Sequence, residues 1–293
     1  MQPPYPAGLV ALLPEFLIVR RRTVDFVQRA ADRHALDRPA LMFAVNRELV
    51  GDWHTLAETR SPYATTSDPQ LAAAEAARGA GLVTESLGRW ALTASGRALC
   101  EELRAAAHVA LAKLVPVPLV DLTHLADLCE RAFAQIALAA EPAVHDYLPR
   151  TLRFRGGAAA RHPLVALENA IHGLWTVRDD CHVAAWRSIG QDGPALDALT
   201  RLWRGEVTTE DELRTKLSWQ RPADVSASLG RLRTSGLVET GEPLKLSAEG
   251  QHTRQLVEAR TDRLFFTPWP DDIAAEADWI RDTLAEVNKA LAA

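Results

Sequence analysis

Six residues between positions 168 and 186 fall on one helical stripe: Glu168, His172, Trp175, Asp179, His182 and Trp186. Their steps of 4, 3, 4, 3 and 4 keep them on one face of a helix that turns about 100° per residue. Ile171, Val183 and Ile189 lie beside them and predict that this face is buried. Glu168 reaches His172 at i, i+4, and Asp179 reaches His182 at i, i+3. Such carboxylate–imidazole couples can act as acid and base, and Glu168, His172, Asp179 and His182 are the catalytic candidates if the chain is an enzyme. They can instead anchor a polar ligand, with Trp175 and Trp186 as an apolar wall and Arg178 and Asp180 as neighbouring contacts. They can also simply satisfy each other inside a helix interface. Metal ligation needs matching ligands from other helices, and the sequence offers no such segment, so no metal and no cofactor is expected.

The elements that position this stripe can be read from local signals. Pro163 suits the first turn of the long helix and Gly190 its C-cap. Gly173 weakens the helix interior by about 1 kcal/mol and allows a second helix or a ligand to come close. Upstream, Pro116 and Pro118 form a stiff linker. Leu122, Leu125, Cys129, Ala132, Phe133 and Ile136 then mark one apolar helix face, with His124, Asp127 and Arg131 opposite. A break is expected between these helices, around Gly156 and Gly157.

A repeat flanks this middle region. Residues 80–103, "AGLVTESLGRWALTASGRALCEEL", correspond to 235–259, "SGLVETGEPLKLSAEGQHTRQLVEA". Each copy predicts a helix ended by a C-cap glycine (Gly81, Gly236), a hairpin, and a new helix capped by Thr93 or Ser247. Helices precede both copies: 37–49 and 68–81 in the first, 195–206, 208–218 and 221–236 in the second. Thr209 with Glu212 reads as a capping box and Pro222 as a first-turn proline. Helix, helix, hairpin, helix is a winged helix-turn-helix. The expected fold is mainly α with small β-hairpin wings, as tandem winged helices flanking a helical middle. The expected division is 1–115, 116–195 and 196–293.

Composition sets the class. The 293 residues are 47% hydrophobic and 24% charged, with a net charge of -5, as in a globular domain. No apolar run spans a membrane and the start lacks a secretory pattern, so a cytoplasmic place is expected. Cys100, Cys129 and Cys181 form neither a disulfide frame nor a CxxC site. The acidic balance weighs against a chain wholly devoted to DNA, but a local basic face can still act. The helix over 68–81 is mostly alanine and carries acid, a poor reading surface. The second copy offers Gln220, Arg221, Ser228 and Arg231 as DNA contacts, although its wing lacks arginine. Both modules can alternatively serve packing or dimerisation.

The second copy resembles MarR-type winged helices, and "GRWALTASGRAL" resembles the dimerisation module of O-methyltransferases. No glycine-rich cofactor loop follows a strand, which rejects methyl transfer. No Gln-x-Gln run supports a winged-helix glycosylase. "RDDCHVAAW" (178–186) with "LVEARTDRLFFTPW" (256–269) resembles the SalK-like helix-turn-helix family over roughly residues 163–293. Arg178, Asp180 and His182 carry the first run of that resemblance, and Glu258, Thr261 and Asp262 the second. The resemblance implies a helix-turn-helix protein and assigns no reaction. Two functions remain open. One is a ligand-responsive DNA-binding regulator. The other is an enzyme or accessory protein of secondary metabolism that reuses winged helices as scaffold. A homodimer is expected, through 271–293 (Ile273, Ala277, Ile280, Leu284, Val287) or 100–114.

Overall fold

The computed structural model describes residues 5–6, 8–23, 25–155 and 162–293. The break expected at Gly156–Gly157 lies outside them. The chain is mainly helical with a small antiparallel sheet. In order come α1 (Leu9–Thr23), α2 (Phe26–Arg33), α3 (Arg38–Val50), β1 (His54–Thr55), α4 (Asp68–Gly79), β2 (Val83–Ser86), β3 (Arg89–Leu92) and α5 (Ala94–Leu111). Then follow α6 (Leu119–Leu138), α7 (Leu148–Arg155), α8 (Pro163–Arg187), α9 (Gly193–Trp203), α10 (Glu210–Lys216), α11 (Pro222–Thr234), α12 (Ala248–Phe266), α13 (Asp271–Ala275) and α14 (Ala277–Ala292). Among the described residues no helix is long and apolar enough to cross a membrane. Two compact units interleave along the sequence. The first holds residues 1–55, 72–180 and 265–293, and the second 56–71 and 181–264.

In the first unit, β1, β3 and β2 pair antiparallel in that order. Ser86 pairs with Arg89, leaving the two-residue loop Leu87–Gly88. Both loop residues have positive φ, 51° and 75°, which matches the right-handed twist of a tight hairpin. Asn288 donates to the Leu12 carbonyl (3.1 Å) where α14 packs along α1. Ile273, Ala277, Ile280, Leu284 and Val287 are all buried within the chain. This corrects the expectation that the helix at 271–293 presents them to a second copy, because α1 already covers the apolar face. Gly173 behaves as expected of a close approach. A Cβ there would stand 2.7 Å from the Phe133 ring of α6.

The second unit packs α9 against α11. Thr209 accepts from the Glu212 N–H (3.2 Å), and Glu212 accepts from the Thr209 N–H (3.2 Å), so the capping box forms. Pro222 opens α11. The second wing is reduced to one bridge, Val238 with Leu246, beside a bond from the Glu239 N–H to the Lys245 carbonyl (2.9 Å).

The two repeats share atomic detail. The Thr93 hydroxyl donates to the Gly81 carbonyl (2.7 Å), and the Ser247 hydroxyl to the Gly236 carbonyl (2.6 Å). Each hydroxyl oxygen also accepts from a glycine N–H in the first turn of the following helix, Gly96 or Gly250 (3.0 Å each). A Cβ on either glycine would lie 2.0 Å from the backbone carbonyl just before the wing, that of Leu82 or Leu237. No side chain fits that gap, and backbone atoms cannot step aside cheaply. Gly96→Ala and Gly250→Ala are each expected to lose at least about 1–3 kcal/mol, the usual overpacking cost. Urea unfolding of the two variants beside the parent measures it. Gly230→Ala, where nothing lies within 4 Å, is expected to leave stability level or higher.

Candidate functional site

The helix that carries the stripe is buried on more sides than the spacing suggested. Leu164, Leu167, Ile171, Leu174 and Val177 are its fully enclosed residues in the first unit. The ionisable stripe runs beside them: Glu168 is buried, while His172, Trp175 and Asp179 are half-buried. The expected pairing within the helix gives way to partners from other elements. Glu168 forms a buried ion pair with Arg20 of α1. Burial pushes its carboxyl above the ordinary range and Arg20 opposes that.

Asp180 is an anchor. Its Oδ1 accepts from the Asp146 N–H (2.7 Å) and the Tyr147 N–H (2.8 Å), and its Oδ2 from the Leu148 N–H (2.9 Å). His145 Nδ1 lies 3.3 Å from the same Oδ2. These donors are the orphan groups at the start of α7, so Asp180 caps a helix from a distance. Its acceptor sites are used up by the chain. That corrects Asp180 as a ligand contact. Arg178 is buried beside it. Asp179 is pushed up to about 7 by burial, with Arg178 opposing and Asp180 adding to the shift.

The unit boundary falls after Asp180, inside α8. Glu168, His172, Trp175 and Asp179 therefore belong to the first unit, and His182 and Trp186 to the second. In the second unit His182 Nδ1 lies 3.0 Å from the Thr261 hydroxyl and 3.9 Å from Glu258 Oε1, both on α12. Thr261 spends its one hydroxyl hydrogen on the Val257 carbonyl (2.7 Å). The hydrogen between the two side chains must then come from His182. This geometry favours the tautomer with hydrogen on Nδ1. Glu258 Oε1 also meets Arg254 Nη1 (2.5 Å), whose Nε donates to Thr200 (3.0 Å) and whose guanidinium stands over Trp203 (4.9 Å). The ring of Tyr63 lies 6.5 Å from His182 and 6.0 Å from Trp186. The Trp186 indole N–H is buried with no acceptor among the described residues.

Residues of the two resemblance runs, His182 with Glu258 and Thr261, thus converge. Arg254, Thr200 and Tyr63 were missed. Arg254 stands at i, i+4 from Glu258, a spacing that could have flagged it; nothing in the sequence flags Tyr63.

The helix-turn-helix face sorts the DNA candidates. Gln220 is buried and its amide donates to the Tyr63 carbonyl (3.2 Å). Ser228 is buried, and its hydroxyl oxygen accepts from Arg231 (3.0 Å). Both are corrected from exposed readers to packing residues. Arg221 and Arg231 do project outward, with 61% and 54% of their side chains exposed. Each already holds an acid: Arg221 binds Asp224 (2.9 Å) and Arg231 binds Asp192 (2.9 Å). Among the described residues no group of three or more His, Cys, Asp or Glu is placed to hold a metal.

Two outcomes test this chemistry. The folded pKa of Asp179, about 7, stands above the unfolded carboxylate value. The folded state therefore holds the proton more tightly, and stability falls as pH rises from about 4 through about 7. Asp179→Asn is expected to change little at pH 4 and to gain about 1–3 kcal/mol at pH 8, read from urea midpoints at both pH values. Thr261→Val removes the acceptor of His182 Nδ1–H and is expected to cost about 1–3 kcal/mol. Imidazole ¹⁵N shifts would report a changed tautomer in that variant; an unchanged spectrum and midpoint would refute the assigned hydrogen bond.

Comparison with known proteins places the chain. No curated protein and no solved structure matches it. A family described as a helix-turn-helix family matches residues 60–293, from the segment that carries Tyr63 through α10, α11 and the second wing to the C-terminal residue. The match takes in most of the sequence and the whole of the second unit after its first few residues, and the chain belongs to this helix-turn-helix family.

Proposed function

We propose that this chain is a transcriptional regulator that binds duplex DNA through its C-terminal winged helix and responds to a small molecule. Family membership across α10 and α11 is the observation that carries the reading. The outward arginines of α11 support it, since arginine is the commonest reader of guanine and of phosphate. Residues 206–252 hold eight acids (Glu206, Glu210, Asp211, Glu212, Asp224, Glu239, Glu242, Glu249) and six Arg or Lys (214, 216, 221, 231, 233, 245). Binding through this module cannot rest on net charge. It rests on a few arginines exchanging Asp224 and Asp192 for phosphate or base edges. The finer likeness to MarR-type or SalK-like proteins and a cytoplasmic location belong to this same reading. So does a homodimer, whose contact would be the exposed Val109, Val115, Leu119 and Val120 at the α5–α6 connection rather than α14.

The second reading, an enzyme or accessory protein, draws on one observation. His182 Nδ1 meets the Thr261 hydroxyl, and the buried Trp186 N–H beside it lacks an acceptor among the described residues. That pair suits a small polar ligand, either as effector or as substrate.

Gel shifts with genomic fragments at about 50 mM salt test the regulator reading, because phosphate attraction is strongest at low salt. Arg231→Ala and Arg221→Ala are each expected to weaken a selected site by about 1–3 kcal/mol where the arginine meets a base. No complex with any fragment at that salt would reject the regulator.

A further inference from the structure

The N-terminal end of a reading helix is the part that meets base edges in helix-turn-helix proteins. Here that end is already occupied by the chain's own residues 60–68, all within the second unit. The Tyr63 carbonyl takes the Gln220 amide (3.2 Å). Asp224 in the first turn of α11 is paired with Arg221 (2.9 Å), and the nearby Thr65 hydroxyl and that arginine hold its carboxyl below the ordinary range. The Asp68 carboxylate acts electrostatically on the Arg221 guanidinium. The Pro62 carbonyl presses on the first residue of α9, where a Cβ on Gly193 would stand 2.1 Å from it.

We propose that residues 60–68 are an autoinhibitory strap on α11. The proposal rests on the DNA-binding reading and adds its regulation. The strap takes up Gln220, and it brings a carboxylate, Asp68, within electrostatic reach of the arginine that a DNA phosphate would seek. A phosphate arriving at Arg221 meets like charge from both Asp68 and Asp224. The strap is held by polar contacts, and residues 61–67 are all half-buried. Segments with little enclosed apolar surface open at low cost compared with the whole fold. The ring of Tyr63 contacts His182 and Trp186, so a ligand bound against those two side chains competes with the closed strap. DNA affinity is then reduced by the fraction of molecules whose strap is open.

Gly193→Ala supplies a wedge, because its new Cβ collides with the Pro62 carbonyl while α11 and the strap keep their own residues. The Tyr63→Ala, Thr65→Val double variant loosens the strap without a wedge and covers the case in which Gly193→Ala fails to fold. Two readouts are taken on the full chain. One is hydrogen exchange of amides 60–68. The other is fluorescence anisotropy with a random-sequence 30-base-pair duplex at about 50 mM salt, where phosphate contacts dominate. The expected result is faster exchange in the strap and duplex binding at least about tenfold tighter than the parent. Faster exchange with unchanged affinity, in a parent that does bind, overturns the strap and leaves the DNA reading standing. Faster exchange with no binding by parent or variants overturns both. Exchange unchanged in every folded variant shows a strap that does not open, and overturns the proposal as well.

Discussion

In each winged helix the backbone carbonyl just before the wing occupies the space where a side chain would begin: Leu82 against Gly96, Leu237 against Gly250. That contact lets the helix after the wing start directly beneath the strand. A threonine or serine hydroxyl then closes the gap, donating to the glycine carbonyl that ended the previous helix and accepting from the glycine N–H that starts the next. The end of one helix, the strand and the start of the next are thereby fixed as a unit. In the second copy this unit sets where α11 stops and where α12 begins. It consequently sets the register that brings Arg254, Glu258 and Thr261 of α12 together with His182.

This lock was legible because it depends on residues near in sequence. A positive-φ glycine, a short extended stretch, a cap hydroxyl and a second glycine recur in the same order, with nearly the same spacing, in residues 81–96 and 236–250. The capping box at Thr209 and the first-turn proline at Pro222 are equally local. The stripe on α8 was legible only in part. Its periodicity was real, but a helix enclosed on several sides offers its ionisable groups to elements far away in sequence. Spacing along α8 could propose Glu168 with His172. It could not propose Arg20, nor the Asp180 carboxylate as the cap of α7, because those partners come from folding. Gln220 and Ser228 failed for the same reason. Their types suit DNA, yet folding buries both, Gln220 with its amide on the Tyr63 carbonyl.

The contrast between the two wings bears on function. The first wing has three paired strands and ends on Leu87, an apolar tip that is 96% exposed. Arg89, directly after that tip, is exposed, and its guanidinium donates to the Trp53 carbonyl (2.8 Å). The second wing has one bridge and acids at Glu239 and Glu242. The wings thus offer few cations, Arg89 and Lys245, for the phosphate contacts that usually fix a winged helix on its duplex. In the proposed DNA-binding reading the arginines on α11 carry most of that role.

Those arginines are more exposed than an ion pair needs, and each is paired all the same. An exposed pair of this kind contributes little in water, so Asp224 and Asp192 restrain Arg221 and Arg231 weakly. Weak intramolecular pairs serve two ends at once. They hold the guanidinium groups in a defined direction before any partner arrives, and they release them to a stronger multivalent anion at small cost. The buried pair of Glu168 with Arg20 has the opposite character. Taking either partner away would strand a charge in the protein interior, at a cost of roughly 3–5 kcal/mol. The chain thus separates its charges by burial. The enclosed pair of Glu168 with Arg20 lies inside the first unit, and the pairs that the proposed DNA binding would open lie at the surface of α11.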